Sequence, residues 1–101
     1  MKILGAECDI EIGKYFKTNK NYIKFIEKET GEPWTTASVN IPDIHIGDED
    51  VILKIYSENS GIMQDLLDND IIEEPHSYIQ SQMVQFPVAR IKEKWLRKRK
   101  V

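Results

Sequence analysis

The sequence predicts a small α+β domain, with an antiparallel sheet of about four to five strands packed by one central helix and a short basic helix or tail at the C-terminus. Three observations predict it. Segments of strand character at residues 7–12, 22–27, 34–41 and 51–56 are separated by turn chemistry. One segment of helical spacing, Ile62, Met63, Leu66 and Leu67, follows the most apolar of these strands. The length of 101 residues, 41% hydrophobic and 31% charged, suits one modest core and not two.

The first strand rests on alternation: Cys8, Ile10 and Ile12 against Glu7, Asp9 and Glu11, the period of two expected when one face is buried. After a polar stretch at 17–21, the aromatic and β-branched run 22–27 reads as a second strand. Thr30-Gly31-Glu32-Pro33 supplies a turn, since Gly31 accepts positive φ and Pro33 cannot donate to a ladder. Residues 34–41 then read as the return strand of a hairpin, closed by Pro42. Residues 42–50 read as a surface loop, with Pro42-Asp43 and Gly47-Asp48 as breakers. The nearly continuous apolar run 51–56 predicts a central strand covered on both faces.

The cover is a helix of about ten residues from near Ser60, with cap candidates at 57–60 and a stop at Asp68-Asn69-Asp70, after which Ile71 and Ile72 re-enter the core. Pro75 opens another loop. Met83, Val84, Phe86 and Val88 form a last strand, in which Pro87 favours an edge position or a bulge. Ile91, Trp95 and Leu96 make a short apolar stripe on a basic helix, and Arg97-Lys98-Arg99-Lys100 is expected to fray. Residues 1–91 are read as the domain and 92–101 as a basic tail.

Catalytic and metal chemistry finds no purchase in the local spacing. Cys8 is the sole cysteine, which excludes an internal disulfide and a multi-cysteine metal site and reads as a buried thiol in a reducing compartment. His45 and His76 have no second ligand at helical spacing. Asp48-Glu49-Asp50 and Asp68-Asn69-Asp70 lack the glycine and terminal glutamate of a calcium loop, and the glycines at 5, 13, 31, 47 and 61 build no phosphate loop. A nuclease reading that starts at Pro42-Asp43 fails at its second acid, where Ile52-Leu53-Lys54 places an apolar residue. Cys8 has no nearby base, and Ser57 and Ser60 serve as helix caps. A non-enzymatic, cofactor-free protein is therefore expected. No apolar run approaches the roughly 20 residues of a membrane span, and the start lacks a secretory core, so the expected location is the cytoplasm.

The formal charge of −3 conceals a segregation. Residues 1–42 carry six lysines and six acids, whereas residues 43–74 carry ten acids against Lys54 alone, and residues 90–101 carry seven cations against Glu93. Such asymmetry bears on association. Two partner surfaces follow. The acidic one comprises Asp43, Asp48, Glu49, Asp50, Glu58, Asp65, Asp68 and Asp70, read either as a solvated loop and helix face or as a mimic of a phosphate backbone. The basic one comprises Arg90, Lys92, Lys94, Trp95, Arg97, Lys98, Arg99 and Lys100, which either contacts phosphates and stacks on a base, or stays solvated and pairs with the acidic middle.

Val39-Asn40-Ile41-Pro42-Asp43, the run from Lys54 through Ile62, Leu66-Leu67, Ile71-Ile72, Gly13-Lys14-Tyr15 and Phe86-Pro87-Val88-Ala89-Arg90 together support a resemblance over roughly residues 3–91. On these residues the chain resembles a domain-of-unknown-function family of small proteins carried by plasmids, conjugative elements and phages of Firmicutes. The resemblance implies a bacterial host cell and an inhibitor of host defence, of the anti-CRISPR type, that binds a type II RNA-guided nuclease or its guide complex. It carries over no catalytic residue. Rival expectations are a nucleic-acid-binding accessory or regulatory protein that uses the basic C-terminus, and an oligomerising module, monomer or homodimer, that uses an open edge at the Pro87 strand.

Overall fold

The alternating N-terminal segment forms the long strand β2 (Ala6–Lys14), which turns Cys8 and Ile12 into the core and Glu7 and Asp9 to water. In the computed structural model, which describes residues 1–100, β2 pairs antiparallel with β1 (Lys2–Ile3) and with β3 (Asn21–Glu27). β3 pairs in turn with β4 (Pro33–Thr36), giving a curled sheet of order β1-β2-β3-β4. Gly31 stands at φ +74° in the β3–β4 turn, as the turn chemistry requires.

β4 stops short of the expected return strand because the chain changes sheets. Ala37 N–H still donates to Ile23 O, but Ser38 bridges Leu53 and Val39 N–H donates to Ile52 O, so residues 37–39 form the corner between two sheets. The second sheet contains β5 (Asp50–Ile52), β6 (Ser77–Ser81) and β7 (Val84–Arg90) in the order β5-β7-β6. Val51, Ile52 and Leu53 are all buried. Val51 and Leu53 join the main core while Ile52 packs with Phe86 and Val88 in a second cluster, the two-sided cover expected of this segment; the central strand expected over 51–56 is instead a three-residue strand at the edge of its sheet, because the chain turns away after the Leu53 bridge to Ser38.

Three expectations are corrected here. The Pro87 strand is not an edge: β7 lies between β5 and β6, and Pro87 is tolerated because the β5–β7 ladder ends there. Leu53 N–H donates to Pro87 O at 2.9 Å, and the proline ring has no N–H to return. The segment after Pro75 is not all loop, since its exposed Ser77-Tyr78-Ile79-Gln80-Ser81 forms the edge strand β6. Met83 belongs to no strand. It occupies the β6–β7 turn with Gln82, both at positive φ (48° and 66°), and is 96% exposed.

The single central helix is also absent. A 3-10 turn (Ser57–Asn59) comes first, then Gly61 at φ +90° breaks the path, and α1 (Ile62–Asp68) runs for seven residues with no side-chain cap. The break follows from Asn59, which is fully buried and donates Nδ2 to Thr36 O at 2.8 Å and to Lys54 O at 3.0 Å while its Oδ1 accepts the Thr35 hydroxyl. These side-chain bonds hold the 3-10 turn against the sheet, and the backbone leaves the helical path at Ser60 (ψ 125°) and Gly61 before α1 begins. α1 buries Ile62 and Leu66 against β1, and Asn69 and Asp70 end it as expected. α2 (Glu93–Leu96) is four residues long, and Ile91 and Leu96 sink into the main core.

Candidate nucleic-acid interface

The turn end of the β2–β3 hairpin, residues 13–25, carries Lys14, Lys17, Lys20 and Lys24 with Tyr15, Phe16 and Tyr22 and no acid. Antiparallel register sets Gly13 opposite Tyr22, and the Tyr22 ring lies on the glycine. A Cβ on Gly13 would meet that ring at 2.6 Å, so the close approach requires glycine. The Tyr22 hydroxyl donates to Glu11 Oε2 at 2.7 Å. That bond to a carboxylate, with burial, pushes the tyrosine up to about 12, while the same bond and Lys100 hold Glu11 below its ordinary value. Tyr15 tilts against Tyr22 with ring centroids 5.6 Å apart, and its hydroxyl shares a 2.9 Å hydrogen bond with Ser38 Oγ. Phe16, next in sequence, is 93% exposed.

The C-terminal residues complete this surface, which corrects the expectation that they fray. Lys100 N–H donates to Ile12 O at 2.8 Å and its Nζ lies 3.2 Å from Glu11 Oε1. Arg99 Nη1 donates to Asn21 Oδ1 at 3.2 Å and to Asp48 O at 3.1 Å. Asn21, buried beneath, donates Nδ2 to Asp48 O and to Asp50 O, both at 2.8 Å, and so joins the hairpin, the acidic loop and the tail. The result is an open groove of ≈ 560 Å³ lined by Lys14, Tyr15, Phe16, Asn19, Tyr22, Arg99 and Lys100. A second hollow of ≈ 350 Å³ reaches Lys24 and Thr36 from the same aromatic ridge. A smaller one, ≈ 170 Å³, is lined by Ile10, Glu11, Ile12, Ile26, Trp95, Lys98 and Lys100.

The two surfaces expected from sequence meet in part, with Asp48, Glu49 and Asp70 paired to Arg99, Arg90, Lys92 and Lys94, while the other acids find partners elsewhere or stand exposed. Asp48 pairs with Lys14 at 2.6 Å and Arg99 at 3.5 Å, Glu49 with Arg90 at 2.8 Å, Glu58 with Lys54 at 2.6 Å, and Asp70 with Lys92 at 3.2 Å and Lys94 at 3.4 Å. These partners hold Asp48, Glu58 and Asp70 below the usual carboxylate values. Asp50 accepts from Gly47 N–H and faces His76 Nε2 at 3.0 Å; Asp65 accepts Leu4 N–H; Asp68 accepts Gln64. Asp43 stands exposed in the loop. Arg90 also bonds Glu73, and Arg97 lies 3.6 Å from Glu93. Of the tail cations, Lys98, Arg99 and Lys100 line the hollows, and Trp95 sits beside them with its Nε1–H donating to Asp70 O at 2.9 Å. Exposed pairs of this kind are worth little in water, so a polyanion can displace them.

The charge balance over residues 1–42 conceals this surface, because it sets the lysines near the turn against acids farther along the same strands and in the next turn. The signal was present in the acid-free, aromatic window 13–25. Among the described residues there is no group of three or more His, Cys, Asp or Glu placed to hold a metal ion, and no helix is long and apolar enough to cross a membrane. Cys8 is buried, and burial pushes its thiol up. Comparison with protein-family models, with curated proteins and with solved structures finds no match to this chain.

Proposed function

We propose that the chain is a non-enzymatic binding protein whose partner presents a nucleic-acid strand to the aromatic and basic groove. The observation that supports it is the union of Lys14, Lys24, Arg99 and Lys100 with Tyr15, Phe16 and Tyr22 on one open face of a protein of net charge −3. Cations at such a groove neutralise phosphates and release counterions, and exposed rings stack on bases of any identity. With about four phosphate contacts, log affinity should fall with log salt at a slope of about −3, a loss of roughly 50-fold between 50 and 200 mM. Fluorescence anisotropy with labelled DNA and RNA across that range is the test. Each of Lys24→Ala and Lys100→Ala should reduce the slope by about 0.7; absence of binding, or a slope near zero, overturns the proposal.

An inhibitor of a type II RNA-guided nuclease, the role the family resemblance implies, is one member of this class, with guide RNA or the displaced DNA strand as the bound strand. A cleavage assay with and without the chain tests that narrower reading. Undiminished cleavage removes it for the nuclease used. The oligomer reading moves from the Pro87 strand to β6, whose uncharged residues form an open edge. A dimer on sizing that Tyr78→Lys abolishes would favour it.

A further inference from the structure

Resting on that reading, we infer that the ligand is a single strand lying along β2 across two stacking stations, the Phe16 cluster at one end and Trp95 at the other. Lys100 connects them. It lines both the large groove and the hollow beside Trp95, and its backbone N–H is bonded to Ile12 O, so the two depressions meet in a furrow along the edge of β2 that faces away from β3. From Gly13, under the Tyr22 ring, to Ile10, beside Trp95, is three residues, about 10 Å at the rise of a strand. A strand of only a few nucleotides spans that length and reaches both stations.

Paired bases in a duplex stack on each other and hide the ring faces on which these stations act, so the furrow selects unpaired bases. Each station is set for that role. Phe16 is almost wholly exposed. The Trp95 ring is held by the bond to Asp70 O, with Lys94 and Lys98 ammonium groups 5.4 and 5.0 Å from its centroid. Those cations cover the ring by weak cation–π contact and transfer to phosphates when a base takes the face. Between the stations Glu11 holds Lys100 in place, and because Tyr22 also donates to Glu11, that carboxylate keeps a partner when a phosphate takes Lys100.

The test uses the full chain with thymidine monophosphate, oligothymidylates of six and twelve nucleotides and a twelve-base-pair duplex. The inference expects both oligomers to bind at least about fivefold tighter than the mononucleotide and the duplex, because stacking at a second station is worth about 5- to 150-fold. Phe16→Ala, at an exposed site, should lose affinity in that range, and Lys98→Ala should weaken binding less. In a Trp34→Phe background, Trp95 fluorescence should be quenched by the six-nucleotide strand. No binding of any probe by the wild-type chain rejects the nucleic-acid reading itself. Binding that does not prefer single strands, equal affinity for mononucleotide and twelve-mer, or unquenched Trp95 overturns the two-station inference alone.

Discussion

Replacing Asn21 by alanine tests how the three parts of the groove are joined. The side chain is 2% exposed, and its amide nitrogen donates to Asp48 O and Asp50 O at 2.8 Å each. Alanine removes both donors. The Asp48 carbonyl keeps Arg99 Nη1 at 3.1 Å, so its loss is that of one ordinary hydrogen bond, about 0.5–1.5 kcal/mol. The Asp50 carbonyl lies beneath the hairpin, and leaving it unpaired costs about 1–3 kcal/mol. The sum, roughly 1.5–4.5 kcal/mol, is a large part of the stability of a domain this size and corresponds to a fall in Tm of at least about 6 °C. Urea and thermal denaturation of wild-type and Asn21→Ala proteins measure it. A variant within about 0.5 kcal/mol of wild type would refute the role of Asn21 as the strut between hairpin, loop and tail.

Other perturbations follow from the same contacts. Gly31→Ala places a Cβ in open space at φ +74°, so the cost is conformational alone, about 1–2 kcal/mol, and should appear as a lower Tm with no change in binding. Glu11 has a folded-state pKa depressed below 4.5 by Tyr22 and Lys100, so it contributes stability above that pH which is lost as pH falls through the folded value. Urea midpoints from pH 7 to 3 should therefore decline below about 4.5, and Glu11→Gln should decline less. Cys8 is 1% exposed with its thiol pushed up by burial, so a thiol reagent should label it only after denaturant unfolds the chain; fast labelling of the native protein would contradict its place in the core.

Period-two alternation at 7–12 and the β-branched run at 22–27 gave strands because each buries one face against a single core. The two-sided cover of 51–53 was legible for the same reason. What was not legible depends on tertiary contacts. Ser60 looked like a cap, but Asn59 is held by Thr36 O and Lys54 O, and the helix starts only after Gly61 turns the chain. Ser77–Ser81 has little apolar alternation because neither face is buried: Ile79 alone packs against the core, and the strand is held by its ladder to β7. Pro87 argued for an edge by its missing donor, yet the ladder ends at that residue and the penalty vanishes. For the site, charge segregation along the chain was visible. The pairing of acidic middle with basic end was only one of its readings, and the meeting of hairpin lysines with Arg99 and Lys100 is a product of the fold.

The most direct measurement of the central claim is an amide chemical-shift map of the labelled protein titrated with a twelve-nucleotide oligothymidylate at low salt. The account predicts perturbations concentrated in residues 10–24 and 94–100, reversed by raising the salt. Perturbations centred on residues 43–74 or on β6, or none at all, would contradict it.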